Sequence, residues 1–205
     1  ASKKEADDLR GRADLYTRAA RLCVSSLGDR EQAARLWQMV LDLDATSEDI
    51  GRPAAEALEA LYPQVGAYDK LVDILRVKLE WTLSPEARAE CLVRVADLED
   101  KALGHPDKAV EYLREAFEAM PDDVRLMDRL EPIYEARGEW RNLVDVLNRR
   151  METAVGNKRR TQLRWRIAAI LEEKLNDIDE SIAVVTANLD EPGGEKQALD
   201  ALDRL

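Results

Sequence analysis

Residues 104–121 read GHPDKAVEYLREAFEAMP, and this stretch decides the fold. Gly104 can take the left-handed backbone that ends a helix, Pro106 suits a first helical position, and Pro121 forbids continuation. Between them Ala109, Val110, Leu113 and Phe117 recur at the spacing of one helical face. The segment is a turn followed by a short amphipathic helix, and such a helix cannot shield its apolar side alone.

Working outward, the same turn returns as G28-D29-R30-E31-Q32-A33, G66-A67-Y68-D69-K70-L71 and G138-E139-W140-R141-N142-L143, with glycines 38, 38 and 34 residues apart. A fifth, N176-D177-I178-D179-E180-S181, follows 38 residues later with Asn in place of Gly. With the register set by the turn alone, positions five, six, nine and thirteen beyond it are apolar in nineteen of twenty cases, where 45% apolar content would give about nine. The exception is Ser181. Eight residues before each turn stand Ala20, Leu58, Ala96, Leu130 and Ala168, the close-packing side of a preceding helix. A fixed period of this length specifies stacked helical hairpins sharing one elongated interior.

Helix ends follow the same frame. First helices of the odd repeats are expected to begin after Asp8, Ser84 and Asn157, whose side chains can accept from exposed amides. Pro121 and the E191-P192-G193-G194 run should stop second helices, and Pro63 and Pro132 should kink or shorten first helices. Leu58-Tyr62 and Leu130-Tyr134 mark the even repeats where the odd ones carry Ala20-Val24, Ala96-Asp100 and Ala168-Glu172, so a pair of hairpins forms a larger unit. Repeats are expected at about 9–47, 48–83, 84–121, 122–156 and 157–192, with a partial sixth at 193–205, all in one domain. Residues 1–8 align with the tail of an earlier second helix, which reads as a segment of a longer array.

Composition narrows the function classes. With 205 residues, 36% charged, 9 Gly, 7 Pro and 2 Cys, the chain is neither collagenous, disulfide-stapled nor disordered. A net charge of −11 repels phosphate backbones and disfavours nucleic acid as partner. No uncharged run exceeds the nine residues from Ala60 to Tyr68, so no segment crosses a membrane as a helix. Cys23 and Cys91 read as free thiols of a reducing, cytoplasmic compartment.

These residues resemble the tetratricopeptide repeat family. Gly104, Ala109, Leu113, Ala116 and Pro121 fit its turn glycine, small and large second-helix residues and terminal proline, and Tyr62, Gly66 and Tyr68 together with Tyr134, Gly138 and Trp140 extend the match. The likeness covers residues 9–205, and the paired odd and even pattern is similar to long bacterial arrays. The Trp-Leu-Gly signature of the first helix is absent, and four extra residues lengthen three of the four spacings. The resemblance implies an all-α, right-handed α-solenoid whose first helices line a concave groove that binds peptides or proteins. The positions that carry asparagines in the family's chaperone-tail clamp hold Leu22, Ala60, Leu98, Pro132 and Ile170, so that clamp is not supported.

Catalytic chemistry finds little footing. His105 is the one histidine, expected to cap the helix at Pro106, and it lies apart from any paired nucleophile spacing. Cys23, Cys91 and His105 lack metal-ligand spacing, and the acidic pairs Asp122-Asp123 and Glu172-Glu173 come without a phosphate loop or nucleophile elbow. No enzyme activity, cofactor or metal is expected. Trp37 and Trp140 read as packing residues, Trp81 and Trp165 as wedges between hairpins.

Two charge features remain. Ten residues before each turn stand Arg18, Glu56, Arg94, Asp128 and Arg166, alternating strictly in sign. The resemblance places this position on the groove wall, where such a ladder would sort a ligand of mixed charge; the plainer reading is a set of exposed ion pairs worth roughly 0–1 kcal/mol each. The stretch from Arg149 to Arg166 carries +6, leaving −17 for the rest, and its Lys158, Arg159 and Arg160 form a candidate anion patch beside the plainer reading of a solvated helix end. The expected role is a scaffold for a protein or peptide ligand, with a self-assembling spacer or, less in keeping with the charge, an RNA-processing helical repeat as alternatives. The oligomeric state is open.

Overall fold

A computed structural model describes residues 3–189 and 195–203. Among the described residues there are eleven α-helices and no strand: α1 (Lys3–Leu22), α2 (Arg30–Leu43), α3 (Gly51–Leu61), α4 (Tyr68–Trp81), α5 (Pro85–Lys101), α6 (Pro106–Ala119), α7 (Val124–Arg137), α8 (Trp140–Thr153), α9 (Asn157–Ile170), α10 (Ile178–Thr186) and α11 (Glu195–Leu202). The chain divides into two compact units, Ala1–Tyr112 and Leu113–Leu205, the division falling inside α6. In the first unit α1 packs on α2, α2 on α3, α3 on α4 and α4 on α5; in the second, α7, α8, α9, α10 and α11 follow one another in the same way. The fold is an all-α array of helix-turn-helix repeats, in which the helices of each unit named above pack on their neighbours in sequence.

The turns explain the array. Gly28, Gly66, Gly104 and Gly138 have φ between +68° and +71°, and Asn176 has φ +52°, the left-handed conformation that reverses the chain after each first helix. Beyond each turn the apolar stripe goes inward: Ala33, Ala34, Trp37 and Leu41 are buried, as are Leu71, Val72, Leu75 and Leu79. Ile182 stands out among the twenty stripe positions as the exposed one, at 37%. The polar member, Ser181, is fully buried and donates its hydroxyl to the Ala168 carbonyl at 3.2 Å, so the one break in the apolar pattern is satisfied rather than costly.

Odd and even repeats differ in backbone as well as in side chains. After the even first helices, the amide following the turn glycine reaches five residues back: Ala67 N–H to Tyr62 O at 3.0 Å and Glu139 N–H to Tyr134 O at 2.9 Å. In the odd repeats it reaches six back: Asp29 to Cys23 at 3.0 Å, His105 to Glu99 at 2.7 Å and Asp177 to Leu171 at 2.8 Å. The last turn of the first and fifth is accordingly a π-helix, Cys23–Leu27 and Leu171–Leu175. One extra residue rotates the face by roughly 100°. So Cys23, Glu99 and Leu171, five before the turn, are buried in the odd repeats, while Tyr62 and Tyr134, four before it, are buried in the even ones.

Several expected boundaries are corrected. Asp8 does not cap a helix: α1 runs unbroken from Lys3, so residues 3–8 extend the first helix rather than end an earlier one. Ser84 does cap, accepting from Ala87 N–H at 3.4 Å. Asn157 is the first helical residue, and the cap position falls to Gly156, which offers no side chain. Pro63 shortens α3, which passes into a 3-10 turn at Tyr62–Val65, but α7 continues through Pro132. Pro121 lies just past the end of α6 as expected, whereas α10 ends at Thr186, ahead of the proline-glycine run, which lies outside the described residues.

Candidate functional site

Four first helices, α3, α5, α7 and α9, together with the second helices α4 and α8, position the charged residues of interest. Glu59 on α3 receives Lys78 from α4 and Arg94 from α5, all in the first unit. Its side chain is 17% exposed. Burial alone would raise its pKa, but the hydrogen bonds and charges of Lys78 and Arg94 outweigh that and hold it below the ordinary glutamate value. The second unit repeats this arrangement 72 residues later: Glu131 on α7 receives Arg150 from α8 and Arg166 from α9, the latter at 2.8 Å. Arg150 also reaches Asp128 at 2.7 Å and Arg166 reaches Glu135 at 3.2 Å.

The alternating positions therefore do not pair with one another. Arg94 and Arg166 turn to glutamates seven residues before the neighbouring turn, Asp128 turns to Arg150, and Arg18 and Glu56 are exposed without an ion pair among the described residues. Glu59, Glu131, Lys78 and Arg150 were missed as partners. A signal existed: twelve residues past the turn, odd repeats carry Val40, Ala116 and Asn188, even ones Lys78 and Arg150.

Arg18 does line a cleft of about 570 Å³ between α1 and α3, with Arg10, Asp14 and Asp49 on its walls and Trp37, Val40 and Ile50 beneath. In the same unit, a second cleft of about 590 Å³ lies over α2 and α4, where the Tyr62 hydroxyl donates to Gln38 Oε1 at 2.7 Å. Burial, with the charges of Asp42, Asp69 and Asp73, pushes the Tyr62 phenol up to about 12, so it stays a donor at neutral pH. In the second unit Tyr134 has the matching partner, Arg114, whose Nε donates to it at 3.4 Å and whose guanidinium lies 5.9 Å from the ring centre.

Of the anion patch, Lys158 and Arg159 are exposed in the first turn of α9 and have no ion pair or hydrogen bond among the described residues, while Arg160 spends its Nε on the Ala154 carbonyl at 3.1 Å. Lys158 and Arg159 line a pocket of about 540 Å³ with Arg150, Arg166, Val155 and Leu163 among its walls. Arg160 is not part of it.

His105 stands at the head of α6, where its carbonyl accepts from Ala109 N–H at 3.1 Å, and its ring is turned to Glu99. Its Nδ1 lies 2.8 Å from Glu99 Oε2, and that carboxylate is 5% exposed, so the ring serves as partner to a buried acid. Cys23 and Cys91 are free thiols; Cys91 donates to the Leu75 carbonyl at 3.5 Å, and burial raises its pKa, which keeps it protonated and inert. Trp37 is core, Trp81 packs on the first unit's core under Arg52, and Trp165 packs on Ala168 and Val185, its Nε1 buried without a partner among the described residues. Trp140 is half-buried beneath Lys174, 5.5 Å from its ring centre. Among the described residues no three metal-ligating side chains converge and no helix is long and apolar enough to cross a membrane.

No family model matches the chain, and no curated protein matches it. Among solved structures, it is similar to a candidate protein-binding protein of Bacteroides ovatus at 16% identity, with a TM-score of 0.40 over 94% of this chain and 96% of the other. It is also similar to a candidate kinesin light chain of Podospora anserina with nearly identical TPR-like repeats, at 16% identity and a TM-score of 0.39 over 97% and 98%. Likeness at this level bears on neither family membership nor function. What the chain's own geometry makes it is an all-helical array of TPR-like helix-turn-helix repeats.

Proposed function

We propose that this chain is a non-enzymatic scaffold that holds a protein or peptide partner along the groove side of its first helices, with Arg18, Glu56, Arg94, Asp128 and Arg166 reading the partner's charge. The observation that carries this reading is the cleft between α1 and α3, where a rim of both signs, Arg10, Arg18, Asp14 and Asp49, surrounds an apolar floor of Trp37, Val40 and Ile50. An extended polypeptide, with apolar side chains on one edge and mixed charge on the other, matches such a surface. The two free thiols are in keeping with a reducing compartment such as the cytoplasm.

The test uses the chain as bait, identifies what it retains by mass spectrometry, and titrates the purified partner back by calorimetry. Arg18→Glu combined with Arg94→Glu is expected to weaken that binding at least tenfold while the helical circular dichroism stays unchanged. Unaltered affinity would remove these residues from the site, and self-association with no foreign ligand would favour a spacer instead.

A further inference from the structure

The two units carry the same construction with opposite charge around it. A shift of 72 residues places Lys78, Glu59 and Arg94 on Arg150, Glu131 and Arg166, and Leu83 on Val155, which are 94% and 92% exposed at the mouths of their loops. The residues that follow diverge. In the first unit they are Ser84, Glu86, Ala87 and Glu90, and Ser84 both caps α5 and donates to Glu86 Oε2 at 2.5 Å, so that loop is satisfied internally. In the second they are Gly156, Lys158, Arg159 and Gln162.

The resulting pocket, about 540 Å³, has four cations on its wall, Arg150, Lys158, Arg159 and Arg166, and no acid. Arg150 and Arg166 share Glu131 and reach Asp128 and Glu135, whereas Lys158 and Arg159 carry no counter-charge among the described residues. Val155 and Leu163 supply an apolar wall beside them. Two cations without a counter-charge, beside two that are already paired and next to an apolar wall, favour a ligand that brings carboxylates and a hydrophobic side chain together. An extended polynucleotide fits poorly, because beyond the +6 stretch the chain carries −17 and repels a long run of phosphates.

We infer that the pocket between the end of α8 and the start of α9 docks an acidic segment of a protein partner, its carboxylates on Lys158 and Arg159 and an apolar side chain against Val155 and Leu163. This deepens the protein-binding reading above and rests on it, but it concerns a surface separate from the Arg18 cleft.

Fluorescence anisotropy with a dye-labelled ten-residue peptide of alternating Glu and Leu tests it on the full chain. The expected result is saturable binding that weakens steadily between about 50 and 200 mM salt, because exposed charge pairs are screened as the Debye length shortens. The double variant Lys158→Glu, Arg159→Ala, which gives this rim the character of the first unit's, should lose at least tenfold in affinity with its circular dichroism unchanged. Glu86→Lys, in the counterpart loop, should leave affinity within twofold or raise it. No binding by the parent chain, equal binding by the double variant, or equal loss on Glu86→Lys would each overturn the inference. So would tighter binding of a ten-nucleotide single-stranded RNA, or a dimer in sedimentation that the double variant abolishes while peptide affinity persists. Failure here is read separately from failure of the Arg18 cleft, because that cleft is judged by the affinity of the retained partner for the Arg18 and Arg94 variant and not by this peptide.

Discussion

Gly51 shows how little a single residue reveals of its constraint before the chain is folded. It stands in SEDIGRP without any turn signature and its φ is ordinary, yet a Cβ there would lie 2.3 Å from the Ala45 carbonyl oxygen and 2.7 Å from that of Asp44. The backbone of the preceding loop passes directly over it, and Gly51 N–H donates to Ser47 O at 2.9 Å to hold that approach. Gly51→Ala must displace backbone rather than a flexible side chain, so it should cost at least about 1–3 kcal/mol in urea unfolding; an unchanged midpoint would show that the loop gives way freely. Other residues were transparent. The left-handed turn positions, Asn176 included, could be named from spacing because the conformation restricts which side chains are tolerated there. His105 was legible only as a turn residue, since its partner Glu99 becomes buried through the six-residue closure of the odd turns.

At the scale of elements, α3, α4 and α5 are tied by one carboxylate. Glu59 has a folded-state pKa held below its unfolded one, so its contribution is complete above the unfolded value of roughly 4.3 and is lost as pH falls through the lower folded value. Glu59→Gln should therefore be less stable than the parent at pH 7, with the gap closing as both are acidified toward pH 3. Urea midpoints measured across that range check it, and a gap independent of pH would deny the ion pairs their role. The helices themselves were readable, because their apolar stripes are local and five times repeated. Which charge each helix presents to its neighbour was not. The alternating residues ten before each turn are conspicuous in sequence, but Arg94 and Arg166 reach Glu59 and Glu131, whose burial follows from lateral packing of α3 on α4 and α7 on α8. Pro132 makes the same point in reverse: its local preference for breaking a helix yields to the packing of Met127, Leu130 and Tyr134 on either side of it.

For the molecule as a whole, stability is carried by interfaces between sequence neighbours, since within each unit α1 to α5 and α7 to α11 pack on those adjacent to them in the chain. Damage should then stay local. Leu58→Ala, at a fully buried position of α3, should cost about 2–5 kcal/mol and speed amide hydrogen exchange in α2, α3 and α4, while α8 and α9 remain within twofold of the parent. Uniform acceleration along the chain would mean that the array unfolds as one body.

Period, hairpin and buried stripe were set by residues acting over a few positions, because turn conformation and helical periodicity depend on the chain's own neighbours and recurred often enough to outweigh single exceptions such as Ser181. The arrangement of charge was settled only on folding. Glu59 meets Lys78 and Arg94 across 19 and 35 residues, and whether such groups touch depends on how α3, α4 and α5 pack on one another. Lys158 and Arg159 stand out as a pair left open for the same reason: their neighbours Arg150 and Arg166 were drawn to Glu131 by packing that no local pattern encodes.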